Sequence, residues 1–381
     1  MSKVKNTVAA IGLLASVPAF AAEEKMADKP GVPSLGQIMG ASGINVSGYV
    51  DTAYTYLSGK GNFVDPTTGS VLGSNRVFDT TRNSFNLQMI DVTVSKLPSN
   101  GFGGLVNLNF GPDADVVAAA GPGNTKEVQQ AYVHYANGPL MVIAGKFVTM
   151  AGAEVIKSPN NLNFSRSILF GYAIPFAHTG ARLTYTVNDK LSLMAGVNNG
   201  WDAQKDNNHN KTLEVGFSAN PVKPLLLAGS LHSGKEYSDS ASTSPTGNLG
   251  LRNLLDLVAT WNATDALSFI LNYDYGTQED AVTVGQKAKW QGVAGYANYK
   301  FADKWRVALR AETFDDKDGY RTGVVQKWDE ATLTLAHMPS ENVELRAEVR
   351  ADKSDKKSFL KSDGTATDNQ NSIALQAIYK F

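Results

Sequence analysis

The sequence predicts an all-β protein: a transmembrane antiparallel β-barrel of sixteen strands, with short periplasmic turns and long extracellular loops. Three observations predict it. Sixteen segments alternate apolar and polar residues with a period of two. The connections between them alternate short and long along the chain. The chain opens on an export signal, and no later apolar run approaches the roughly 18 residues of a spanning helix.

The signal comes first. In MSKVKNTVAAIGLLASVPAFA, Lys3 and Lys5 give a basic start, Val8 to Val17 a short apolar core, and Ala19-Phe20-Ala21 a small-residue cleavage site. Residues 1–21 therefore read as a signal peptide, and the mature chain starts near Ala22. Residues 22–43 are interrupted by Pro and Gly and read as a periplasmic N-terminal leader. Within it SLGQIMG (34–40) has the makings of a short helix or plug, but a disordered leader is the preferred reading.

The barrel is expected over 44–381. Its candidate strands lie near 45–57, 85–97, 102–111, 127–136, 140–147, 178–187, 191–199, 211–219, 225–232, 252–261, 267–275, 289–300, 305–314, 327–338, 343–352 and 371–381. In 85–97 the apolar phase slips around Met89-Ile90, which predicts a bulge. The clearest segment is VELRAEVRAD (343–352), with every odd position aliphatic and every even position charged. Its composition favours a helix. Its period does not: a helix would smear the apolar residues around its axis and stack Glu344 on Glu348 and Arg346 on Arg350. As a strand it sorts into one face for lipid and one for water.

The connections carry the argument further. PSNG (98–101), NGP (137–139), NDK (188–190), NPVKP (220–224), NATDA (262–266), ADK (302–304) and PSEN (339–342) are turns in residue type and length. The stretches 58–84, 112–126, 148–177, 233–251, 276–288, 315–326 and 353–370 are long and polar. One trimmed end and one ragged end is the pattern of an outer-membrane barrel. Aromatics at segment ends (Tyr54, Tyr56, Phe110, Phe147, Tyr273 and Tyr275 at one, Phe102, Tyr135, Tyr299, Phe301, Trp305, Tyr379 and Phe381 at the other) predict two interfacial girdles.

Composition removes other classes. Net charge is −1 with no basic patch, so nucleic acid is not an expected partner. With no cysteine there is neither a disulfide framework nor a cysteine-ligated metal. The five histidines sit on different segments without zinc-site spacing, so no metal or cofactor is expected. No Ser stands in a G-x-S-x-G context, and an enzyme is the last reading. Asp315-Asp316-Lys317-Asp318-Gly319 reads as a solvated acidic loop, with divalent ions bridging it to lipopolysaccharide as the alternative.

The chemistry lies on the wall. If odd residues of 343–352 face lipid, Glu344, Arg346, Glu348 and Arg350 face the lumen. Arg306, Arg310, Glu312 and Glu330 join them, as do Arg182, Lys146, Asp51, Glu214, Asp256 and Asp274. One Arg at mid-depth on the lipid face would cost about 2–4 kcal/mol, so the facing is strongly determined. Two roles stay open for these charges: cross-strand ion pairs that stiffen the wall, or a ladder that orients a polar solute.

The chain ends NSIALQAIYKF, with Ile373, Leu375, Ala377, Tyr379 and Phe381 on one face. This end resembles the assembly signal of bacterial outer-membrane proteins, which implies that Tyr379 and Phe381 engage the barrel assembly machinery. ASGINVSGYVDTAYTY (41–56) and NFSRSILFGYAIPFAHTGARLTY (163–185) resemble the OmpL-like β-barrel porin family of Gram-negative outer membranes, over essentially the whole mature chain. That resemblance implies a water-filled channel for small hydrophilic solutes or ions, embedded in lipid and lipopolysaccharide. By analogy with sixteen-strand porins, the third long loop (148–177) folds inward as a constriction carrying Glu154, Lys157 and Arg166, and three copies form a homotrimer. The competing expectations are a substrate-selective channel and a closed structural or adhesive barrel.

Overall fold

A computed structural model describes residues 35–118, 127–237 and 249–381. The predicted signal peptide and the first part of the leader, 22–34, lie outside the described residues. Leu35–Ser42 form a helix, α1, where a plain leader was expected. Leu, Gln, Met and Ala are good helix formers, and the Ser42 hydroxyl donates to the Met39 carbonyl at 2.8 Å.

From Gly43 onward the chain is one barrel. Its strands in chain order are β1 (Asn45–Leu57), β2 (Ser84–Lys96), β3 (Gly101–Phe110), β4 (Val128–Asn137), β5 (Leu140–Val148), β6 (Ala177–Asn188), β7 (Leu191–Asn198) and β8 (Thr212–Val222). There follow β9 (Leu225–Tyr237), β10 (Leu249–Asn262), β11 (Leu267–Glu279), β12 (Lys287–Ala302), β13 (Trp305–Asp316), β14 (Gln326–Ser340), β15 (Val343–Ser354) and β16 (Asn369–Lys380). Each pairs antiparallel with its neighbours in the chain, and β1 pairs with β16 to close the sheet. Closure leaves no strand edge unpaired, which lipid requires.

Alternation sets the two faces. In β15, Glu344, Arg346, Glu348, Arg350 and Asp352 are buried inside, while Leu345, Ala347, Val349 and Ala351 are exposed on the outer wall. The predicted slip in β2 is a bulge. Gln88 has no partner between Met89, opposite Asp51, and Leu87, opposite Thr52, and both Gln88 and Met89 turn inward.

At the seam, Gly48 and Phe381 exchange backbone hydrogen bonds of 2.9 and 3.0 Å. A Cβ on Gly48 would stand 2.6 Å from the Phe381 ring, so the glycine makes room for the terminal aromatic. Tyr379 and Phe381 are 52% and 50% exposed on the outer wall.

Several expectations are corrected. Phe147 is no girdle residue: it is 1% exposed, pairs with inward His178, and lies under the Arg182 guanidinium at 4.4 Å. Lys146 leaves the inward set, because it pairs with Thr179, in the outward phase of Leu183, and donates to the Val128 carbonyl at 2.7 Å. The first and last long loops are not irregular throughout. Short strands Gly59–Val64, Val71–Gly73, Phe359–Lys361 and Ala366–Thr367 form a separate four-stranded sheet. The 315–319 stretch is not simply solvated, since Asp316 is buried and accepts from Arg321 N, Thr322 N and the Thr322 hydroxyl.

Loop residues also fill the long-loop end of the interior. Phe63 and Phe359 pack on Trp328, and Phe170 and Phe176 pack on Phe78. The buried apolar cluster inside the barrel combines these loop residues with inward strand residues such as Met89, Leu254, Trp290 and Trp328.

Candidate functional site: an interior loop clamped to a charged wall

The segment 149–176 joins β5 to β6 and runs through the barrel interior. It contains a short 3₁₀ turn, Ser158–Asn160, and a π-helical turn, Leu169–Ala173. Its backbone polar groups need partners inside the barrel. The strand register supplies them: β15 presents a charged side chain at every second position facing it, and β13 and β14 add Arg306, Arg310, Glu312 and Glu330.

Carboxylates hold the loop's N–H groups. Glu348 accepts from Phe164 N at 2.7 Å and Ser165 N at 3.0 Å, and from the Thr334 hydroxyl at 2.7 Å. Glu312 accepts from Ile168 N at 2.7 Å and Leu169 N at 3.1 Å. Guanidinium groups hold its carbonyls. Arg306 donates to Leu162 O, Arg310 to Ser165 O, Arg350 to Arg166 O, and Arg346 to Asn161 O and Asn163 O, over 2.6 to 3.1 Å.

The same groups pair with one another. Arg310, fully buried, reaches Glu330 and Glu154 at 2.8 Å each. Arg306 and Arg346 share Glu344 at 2.6 and 2.7 Å. Arg350 binds Asp352 at 2.7 Å. Buried charges need both partners and hydrogen bonds to persist, and here each guanidinium has both.

The three residues expected on the loop fall in three different places. Glu154 faces the wall, bonded to Arg310 and to Ser167 N at 2.7 Å. Arg166 is a staple within the loop, donating to Val155 O, Ile156 O and Phe164 O, with its guanidinium over the Phe78 ring. Lys157 crosses to the other wall, where its ammonium meets Asp91 at 3.0 Å and the Thr93 hydroxyl at 2.7 Å on β2. Its side chain keeps 29% exposure, unlike the buried Glu154 and Arg166. Arg182 stands apart on β6, bidentate to Glu214.

Between residues 148–157 of the loop and β3 and β4 lies a cavity of about 290 Å³. Asn107, Gln129 and Gln130 line its wall side, Glu154 and Lys157 its loop side, and Phe170 and Phe176 close it. These amides are uncharged and so lie outside the charged set expected to face the lumen. Their signal was there: Asn107, Gln129 and Gln130 are polar residues at the loop-facing ends of otherwise apolar alternating strands.

Over residues 43–381 the sequence matches the family described as "Putative beta-barrel porin-2, OmpL-like". The chain belongs to this family. It is an outer-membrane porin channel. Among solved structures the porin is similar to the outer membrane channel DcaP of Acinetobacter baumannii, at 14% identity and a TM-score of 0.60, over 89% of this chain and 97% of that one. It is similar to in-vitro folded OmpT of Vibrio cholerae, trimer form, at 12% identity and 0.61, over 89% and 99%. It is similar to an anion-selective porin from Comamonas acidovorans at 12% identity and 0.60, over 89% and 99%. At such identities the likeness is one of fold. No curated protein matches the sequence.

Proposed function

We propose that this porin passes small hydrophilic solutes or ions by passive diffusion, through the space that the 149–176 loop leaves beside β3 and β4. The single observation that supports this most is the loop's two-sided attachment: Arg and Glu side chains of β13 to β15 on one side, and Lys157 with Asp91 on the other. In this reading the loop is the constriction, and Arg306, Arg310, Arg346, Arg350, Glu312 and Glu348 position it instead of meeting the solute. Gln130 and Lys157 are the groups a solute passes, with the buried amides of Asn107 and Gln129 behind them. Recording single channels from the refolded protein in a planar bilayer tests the reading, and the absence of conductance steps would overturn it.

Residues 1–21 act, in the same proposal, as a cleaved signal peptide, so the mass of the mature protein corresponds to a chain starting at Ala22. Tyr379 and Phe381 present the assembly signal. Three copies associate, with the outer-wall groove over Gly104, Ala131 and Ala144 as the contact, since small residues let walls approach closely. Chemical cross-linking in native membranes should give a trimer band.

A further inference from the structure

The histidines scattered in the sequence do not all stay apart in the barrel. Arg182, Gly196, Glu214 and His232 are successive partners across β6, β7, β8 and β9. His178 lies four residues before Arg182 on β6, on the same inward face, where the interior loop rejoins the wall. The two imidazole rings stack with centroids 5.2 Å apart, and both are buried with Glu214.

The nitrogens are arranged asymmetrically. His178 directs Nδ1 to the Gly200 carbonyl at 3.4 Å and Nε2 toward Glu214 Oε2 at 4.0 Å, with the Thr149 hydroxyl 3.4 Å away. His232 directs Nε2 to the Ser230 hydroxyl at 3.2 Å. Its Nδ1 is buried, makes no hydrogen bond, and points at Glu214 Oε2 from 3.8 Å. In each ring, then, the outer nitrogen has a hydrogen-bonding partner and the inner one presents toward the carboxylate. Metal-bound histidines have this arrangement, with the second nitrogen fixing tautomer and ring orientation.

We propose that His178 Nε2, Glu214 Oε2 and His232 Nδ1 bind a borderline divalent transition-metal ion, of which Zn²⁺ is the type. Two imidazoles and a carboxylate are a three-ligand zinc set that leaves a fourth position to water. The three ligand atoms all lie within 4.8 Å of one another. Bonds of about 2.0–2.2 Å in a tetrahedron place ligand atoms roughly 3.3–3.5 Å apart, so the widest separation closes by up to about 1.5 Å.

Three neighbours shape the carboxylate, and one of them, Asn198, donates through Nδ2 to Oε2 at 3.5 Å. Arg182 donates through Nε to Oε1 at 2.6 Å and through Nη2 to Oε2 at 3.1 Å, which fixes its orientation. Gly196 leaves the space, because a Cβ there would stand 2.3 Å from Oε1. The Arg182 charge opposes the cation, which makes this a reversible site instead of a permanent structural one.

The test uses the full refolded chain without a histidine tag, stripped with EDTA and exchanged into metal-free buffer. Zn²⁺ is titrated calorimetrically, and Co²⁺ is followed by visible absorbance. The expected result is one ion per chain, with affinity at least tenfold weaker in His178→Ala and in His232→Ala and unchanged in His209→Ala, whose ring sits in a loop. Heat-modifiable gel migration reports folding, and His232→Asn and Glu214→Gln replace any variant that fails to fold. No saturable binding, or equal binding in the wild type and every folded site variant, overturns the proposal.

Discussion

At Glu348 one carboxylate accepts three hydrogen bonds, two of them from backbone N–H groups of the interior loop. Replacing it with Ala strands those donors, at roughly 1–3 kcal/mol for each buried orphan. Glu348→Ala should therefore lower the unfolding midpoint of the barrel in detergent, while Glu341→Ala, on an exposed turn, should leave it in place. The neighbouring position gives the complementary case. Val349 is exposed on the outer wall, and Val349→Arg should cost about 2–4 kcal/mol in a lipid bilayer if it sits at mid-depth. Denaturant titration in liposomes measures it. The sequence made this facing legible, because alternation alone separates Glu348 from Val349. It did not tell what Glu348 does, because its loop partner Phe164 is 184 residues away in the chain.

At the scale of elements, strands were legible and loops were not. A strand's period and its turn residues are local signals. The direction of the 149–176 loop depends on side chains of β13 to β15, and the small sheet at the long-loop end pairs Phe63 with Phe359. Neither is a local property. The first long loop is docked in the same way: Arg76 binds Asp79 at 2.7 Å and, on β15, Asp352 at 2.8 Å. Burial alone would push the Asp79 carboxyl up, but the Arg76 guanidinium, with Arg350, outweighs it and holds Asp79 below the usual carboxylate range. A carboxyl lowered on folding stabilises the fold fully above its unfolded value, near 3.9, and that contribution fades as pH falls through the lower folded value. Asp79→Asn should therefore lose stability at neutral pH and show a smaller acid-side decline than the wild type, measured by unfolding midpoints from pH 7 to pH 3.

At the scale of the whole molecule, closure rests on the seam between β1 and β16. Gly48 and Phe381 meet there, and this terminal aromatic was legible as the last residue of an outward face. Its glycine partner was not, since the contact appears only once the register is known. Gly48→Val should slow or prevent closure, read as loss of the heat-modifiable folded band on refolding.

In the proposed constriction, wall charges hold the interior loop and the loop sets the channel. The unitary conductance of Glu312→Ala/Glu348→Ala beside the wild type, in planar bilayers and in matched salt, tests it most directly. Four loop N–H groups lose their acceptors in that variant. The expected result is a larger and noisier unitary conductance from a protein that still migrates as a folded barrel. Conductance and noise identical to the wild type in that folded variant would contradict it.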